Sequence, residues 1–107
     1  MLKWQDPLSQ QMETELKILA DDLRMLKLQG WSVIFSENEI VVRPEGRTIG
    51  KFSITSVREG QFAVAFFSRE LNFWNKRKNF EANASAAVRV KEWMETEVAD
   101  PLRRVDL

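Results

Sequence analysis

Between residues 69 and 80 the chain gathers Arg69, Lys76, Arg77 and Lys78 around the indole of Trp74. Closely spaced cations neutralise phosphates, and an exposed indole offers a face on which an unpaired base can stack. These are the residue types that bind single-stranded nucleic acid. The same composition also describes the solvated tip of a hairpin, because lysine guards exposed sheet edges against association. Two acidic pairs are weaker candidates. Glu37 and Glu39 flank a turn and Asp21 and Asp22 sit on a helical stretch, but neither pair has the loop spacing of a calcium site. Both are read as solvated charge. Asn83-Ala84-Ser85 matches a glycosylation acceptor pattern. The alanine-rich run behind it makes Asn83 a helix cap instead.

Cysteine, histidine and tyrosine are all absent. Thiolate nucleophiles, disulfides and zinc–sulfur sites are therefore excluded. Imidazole, the side chain best matched to proton transfer near neutral pH and the commonest metal ligand, is excluded with them. The glycines at 30, 46, 50 and 60 are too scattered to cradle a phosphate, and no serine has a histidine base. No catalytic residue, metal ligand or cofactor site is assigned, and the chain is read as a non-enzyme with no evident small-molecule ligand.

The elements that must position the basic group follow from hydrophobic periodicity. Asp6 with Pro7 behind it predicts a helix start, and Gly30 a helix stop. Between them Met12, Leu16, Leu19, Leu23 and Leu26 recur on one helical face. From Trp31 the period falls to two. "WSVIF" and "EIVVR" predict a pair of strands around the polar "SENE", with Trp31, Val33, Phe35, Ile40 and Val42 facing inward. A turn at residues 44–47 leads to "TIGKFSIT", with Phe52 and Ile54 inward, and Glu59-Gly60 turns the chain again. "QFAVAFF" follows as a central strand that is apolar on both faces. Leu71 and Phe73 predict a short strand, residues 75–78 a polar turn, and Phe80 a return to the sheet. The number of strands between 61 and 82 is left open. A last helix is predicted over about residues 84–99, with Ala86, Val90, Trp93 and Met94 inward, ending before Pro101.

The chain has 107 residues, 44% of them apolar and 30% charged, and a formal net charge of zero. That is the size of one globular domain, spanning 1–107, which buries roughly 65% of its unfolded surface. The zero hides an uneven distribution. Residues 6–29 carry five acids against three bases, while Glu70 is the single acid among the four bases of residues 69–78. The apolar run at residues 62–67 is too short to cross a bilayer, and no apolar stretch follows the first lysine, so the cytoplasm is the expected location and no membrane association is expected. Short connections predict an α+β fold: an N-terminal helix, an antiparallel meander of four to six strands and a C-terminal helix, both helices on one face of the sheet.

The stretch "NKRKNFEANASAAVRV", residues 75–90, resembles the basic lead-in to the last helix of double-stranded-RNA-binding domains, and the helix–strands–helix order is similar to that family's. The family's histidine-bearing loop has no counterpart in a chain without histidine, and the strand-like material between Gln61 and Ala82 departs from the pattern.

The functional expectation is a small non-catalytic interaction module, binding a protein partner or a second copy of itself as a homodimer. Phe62, Val64 and Phe66 of the two-faced strand, helix one, and Trp4 ahead of that helix would supply the apolar contact. Ala63, Ala65 and Phe67 lie opposite the first three, so one face of this strand needs a cover: another strand, a second subunit or a ligand. Nucleic-acid binding through Arg69, Trp74, Lys76, Arg77 and Lys78 is the alternative.

Overall fold

The computed structural model describes residues 9–26, 31–36, 38–43, 50–67 and 76–99. Helix α1, Gln10–Met25, starts at Ser9, whose hydroxyl accepts from the Met12 N–H at 3.1 Å. Serine supplies the oxygen that an unpaired first-turn amide requires. The expected start at Asp6 and stop at Gly30 lie outside the described residues. Leu16, Leu19 and Leu23 of the predicted stripe are buried together with Ala20, while Met12 and Leu26 at its ends are half-buried. Ile18 and Met25, off the stripe, are exposed.

Five strands follow in a meander: β1 Ser32–Ser36, β2 Glu39–Arg43, β3 Lys51–Arg58, β4 Gln61–Phe67 and β5 Lys76–Glu81. Every neighbour pairs antiparallel, and the spatial order is the chain order. Gly50, just ahead of β3, lies so close to β4 that a Cβ there would stand 2.2 Å from the Phe67 carbonyl oxygen and 2.6 Å from the Phe66 ring.

The basic cluster is corrected by β5. Lys76, Arg77 and Lys78 form the first half of a strand, not a turn. No glycine or proline interrupts residues 76–81, and Lys76, Lys78 and Phe80 alternate with Arg77, Asn79 and Glu81. Among the described residues this strand is the last in the sheet, where solvent reaches its side chains and so charge is tolerated. The expected strand at Leu71 and Phe73 lies outside the described residues.

Helix α2, Ala86–Trp93, continues as a π-helix over Met94–Ala99. The expected cap at Asn83 is corrected: the residue preceding the helix is Ser85, and Asn83 instead closes a turn ahead of it. Its Oδ1 accepts from the Ser85 N–H at 3.0 Å and from the Ser85 hydroxyl at 2.9 Å, while its carbonyl accepts from the Ala86 N–H at 3.1 Å. Ser85, next to the helix, makes no side-chain cap bond. Where α gives way to π, the Thr96 hydroxyl donates to the Glu92 carbonyl at 2.7 Å, a back-bond that bends helices.

Both helices pack on the same sheet face. Leu16, Leu19 and Leu23 from α1 meet Ala86, Ala87, Val90 and Trp93 from α2 over Ile40, Val42, Phe52, Ile54, Phe62, Val64, Phe66 and Phe80. Phe52 is the hub of the aromatic contacts. Trp31 stacks on it at 5.7 Å, Phe66 tilts against it at 5.0 Å, and Trp93 meets it edge-on at 6.4 Å. Such pairs add to plain burial because ring edges and faces carry opposite partial charge.

Candidate interaction surface

Strand alternation assigns each described site residue to one or the other face of the sheet. Phe62, Val64 and Phe66 are all buried under the helices. Their expected role as an intermolecular contact is corrected: a side chain already packed against α1 and α2 has no surface left for a partner. Trp4, Arg69 and Trp74 lie outside the described residues. Lys76 and Lys78 share the helix-bearing face with Phe80, since they stand opposite Phe66 and Val64 in the ladder. Arg77 stands opposite Ala65, on the other face. A period of two thus splits three adjacent cations across the two sides of the sheet.

The second face carries no helix or strand among the described residues. Its central positions are small: Ser53 and Thr55 on β3, Ala63 and Ala65 on β4. Ala63 is only 3% exposed, and Ser53 is buried with its hydroxyl donating to the Glu39 carboxylate across the β2–β3 pair. Apolar groups flank this flat centre. Phe67 is 49% exposed and Ile34 50% exposed, at opposite margins of the face. Charges ring it. Lys51 stands directly opposite Phe67, Arg43 follows Val42 towards the same end, and Arg77 faces Ala65. Glu39 lies opposite Thr55 and Glu81 opposite Gln61, towards the other end. Arg58 stands opposite Gln61 at that same end, so the face carries bases alone at one end and mixed charge at the other.

The two sheet edges differ. At β1 the Arg24 guanidinium of α1 donates to the Val33 carbonyl at 3.3 Å while also holding Asp21 at 3.2 Å. β5 has no such cover among the described residues. Beside it, between β5 and α2, runs a cleft of about 400 Å³ with Lys78, Phe80, Arg89, Glu92 and Trp93 in its walls. Lys78 Nζ lies 5.5 Å from the centre of the Phe80 ring, and Phe80 meets Trp93 edge-on at 6.1 Å. A smaller cleft of about 250 Å³ lies between α1 and the start of α2, with Glu15, Ile18, Asp22 and Asn83 on its walls.

The larger cleft carries the charges of Lys78, Glu81, Arg89 and Glu92 and the smaller those of Glu15 and Asp22. Among the described residues no group of three or more acidic or metal-binding side chains comes together, and no buried side-chain polar atom lacks a hydrogen-bond partner. No described helix is long and apolar enough to cross a membrane. The sequence marked one face of the strand at 61–67 as needing a cover; what it did not show is the small, flat floor of that face. Its signal was the small-residue series Ser53, Ala63 and Ala65, which is legible only once strand register brings the three side by side. Comparison with protein-family models, with curated proteins and with solved structures returns no match.

Proposed function

We propose that the chain is a non-catalytic protein-interaction module of the cytoplasm, and that the sheet face away from the helices is its working surface. The observation that supports this most is the arrangement of that face: small uncharged residues at the centre, half-exposed Phe67 and Ile34 beside them, and charges confined to the rim. Protein interfaces have this anatomy, depleted of charge at the core and polar around it, with aromatic anchors supplying much of the binding energy. The experiment is affinity capture with the wild-type chain against Thr55→Arg and Phe67→Ala, both at exposed positions. A protein retained by the wild type and lost with both variants supports the reading. Identical capture by all three overturns it.

Nucleic-acid binding retains one supporting observation, relocated by the fold. The exposed ring of Phe67 lies opposite Lys51, with Arg43 and Arg77 on the same face. A stacking surface next to cations is what a single strand requires.

A further inference from the structure

The outer edge of β5 has a sequence complementary to itself. The Ala82 N–H donates to the Gly60 carbonyl at 2.8 Å, across the β4–β5 pair. Both main-chain groups of a strand residue point to one side, and successive residues alternate. Lys76, Lys78 and Phe80 therefore direct their N–H and C=O groups towards β4, while Arg77, Asn79 and Glu81 direct theirs outward. All three outward residues are exposed, and no described strand pairs with them. Neither Arg77 nor Glu81 has an ion pair among the described residues.

We propose that two copies of the chain join edge to edge through β5, antiparallel about a two-fold axis at Asn79, so that two five-stranded sheets become one. An axis normal to the sheet keeps each face continuous across the joint, so only residues of the same face can stand opposite one another. Centred on Asn79, the register places Arg77 against the partner's Glu81 and Glu81 against the partner's Arg77. Asn79 meets the partner's Asn79 on the axis. These are the residues whose main-chain groups point outward, so each pair exchanges both of its N–H···O bonds. On the helix-bearing face Lys78 comes opposite the partner's Phe80, repeating between copies the contact it makes within one. The other registers are worse. Centring on Lys78, Arg77 or Glu81 sets that charge against itself, and like charges directly opposite destabilise a ladder, while centring on Phe80 sets Glu81 against the partner's Asn79 and loses both Arg77–Glu81 pairs. The β1 edge, occupied by Arg24, is not equivalent. The joint stands apart from the open-face reading and extends that face by placing two of them side by side.

Sedimentation equilibrium of the full chain tests the joint, with circular dichroism confirming that each variant is folded. The wild type is expected to dimerise. Asn79→Pro removes an outward N–H that β4 does not use, and is expected to give monomer. Arg77→Glu sets like charges together twice and is expected to weaken the dimer about tenfold or more. Adding Glu81→Arg to Arg77→Glu restores opposite charges and is expected to recover the wild-type mass. A monomeric wild type at several hundred micromolar, or a dimer indifferent to these changes, overturns the proposal. So does a charge-swapped double variant that fails to recover. Thr55→Arg, which tests the open face, is expected to leave the mass unchanged, so the two readings fail separately.

Discussion

Glu15 of α1 reaches across 45 positions to the β3–β4 turn, its Oε1 accepting from the Gly60 N–H at 3.0 Å and its Oε2 from the same N–H at 3.2 Å. Gly60 has φ +85°, the left-handed region that glycine enters without a Cβ clash. The turn that glycine permits leaves its N–H facing the helix, and the carboxylate satisfies it. One charged side chain thus ties the first helix to the central hairpin. Glu15→Ala is expected to destabilise the chain by about 1–2 kcal/mol, since a part-buried amide loses a charged partner. Glu15→Gln, which keeps an acceptor oxygen, is expected to lose less. Urea unfolding measures both, and amide exchange at Gly60 should quicken in the alanine variant.

Gly50 and Gly60 are needed for different reasons, and alanine separates them. At Gly50 the added methyl would enter the space of the Phe67 carbonyl and the Phe66 ring. Main chain cannot yield as a side chain does, so Gly50→Ala is expected to cost about 2–3 kcal/mol as an overpacking defect. At Gly60 a Cβ meets nothing within 4 Å, and the cost is the left-handed backbone alone, about 1 kcal/mol. Thermal unfolding should rank Gly50→Ala as the more damaging. The reverse ranking would contradict the close approach of residue 50 to β4.

Phe52 is fully buried at the meeting point of Trp31, Phe66 and Trp93. Phe52→Ala is expected to remove about 3–5 kcal/mol, a large share of the stability of a domain this size. Phe52→Leu should cost less, because it retains most of the volume and loses the ring contacts. Trp93 fluorescence should shift in both variants, as its edge-on neighbour is removed.

The nucleic-acid reading makes a salt-dependent prediction. If a single strand lies on the open face, its affinity falls with salt, and Lys51→Ala should lower the slope by about one unit. Phe67→Ala should then cost about 1–3 kcal/mol through lost stacking. Fluorescence anisotropy with an unstructured oligonucleotide at low ionic strength measures both. Lys78→Ala, on the opposite side of the sheet, is expected to have no effect on that site. An equal loss from Lys78→Ala and Lys51→Ala would mean that the bases act from both faces, and the open-face placement would fall.

The helices and the meander were legible because periodicity reports burial directly. Leu16, Leu19 and Leu23 recur at helical spacing and are buried, and Val33, Ile40, Val42, Phe52 and Ile54 alternate onto the covered face. The basic stretch was misread because three adjacent cations at 76–78 look like a turn when local polarity is all that is visible. Alternation at Phe80 was the available signal. It carried less weight than charge because a strand's tolerance for lysine depends on being at an edge, and the position of a strand within a sheet is a non-local property. The contact residues were misplaced for a related reason. A strand apolar on both faces does not reveal which face the helices will take, and Phe62, Val64 and Phe66 were taken by them.

By itself the sequence determined the two helices, the strands up to residue 67 with their antiparallel order, and the exclusion of thiol and imidazole chemistry. Those properties depend on residue identity and near-neighbour spacing, which the chain carries along its length. Only the tertiary structure decided that Arg77 parts from Lys76 and Lys78, that Ala63 and Ala65 lie on the face away from the helices, and that among the described residues β5 is the last strand, with Arg77, Asn79 and Glu81 turned outward. Each of these depends on register and strand order. Those are set by which distant segments pack together, because burying the larger side chains of β4 beneath two helices leaves its smaller ones for the other side.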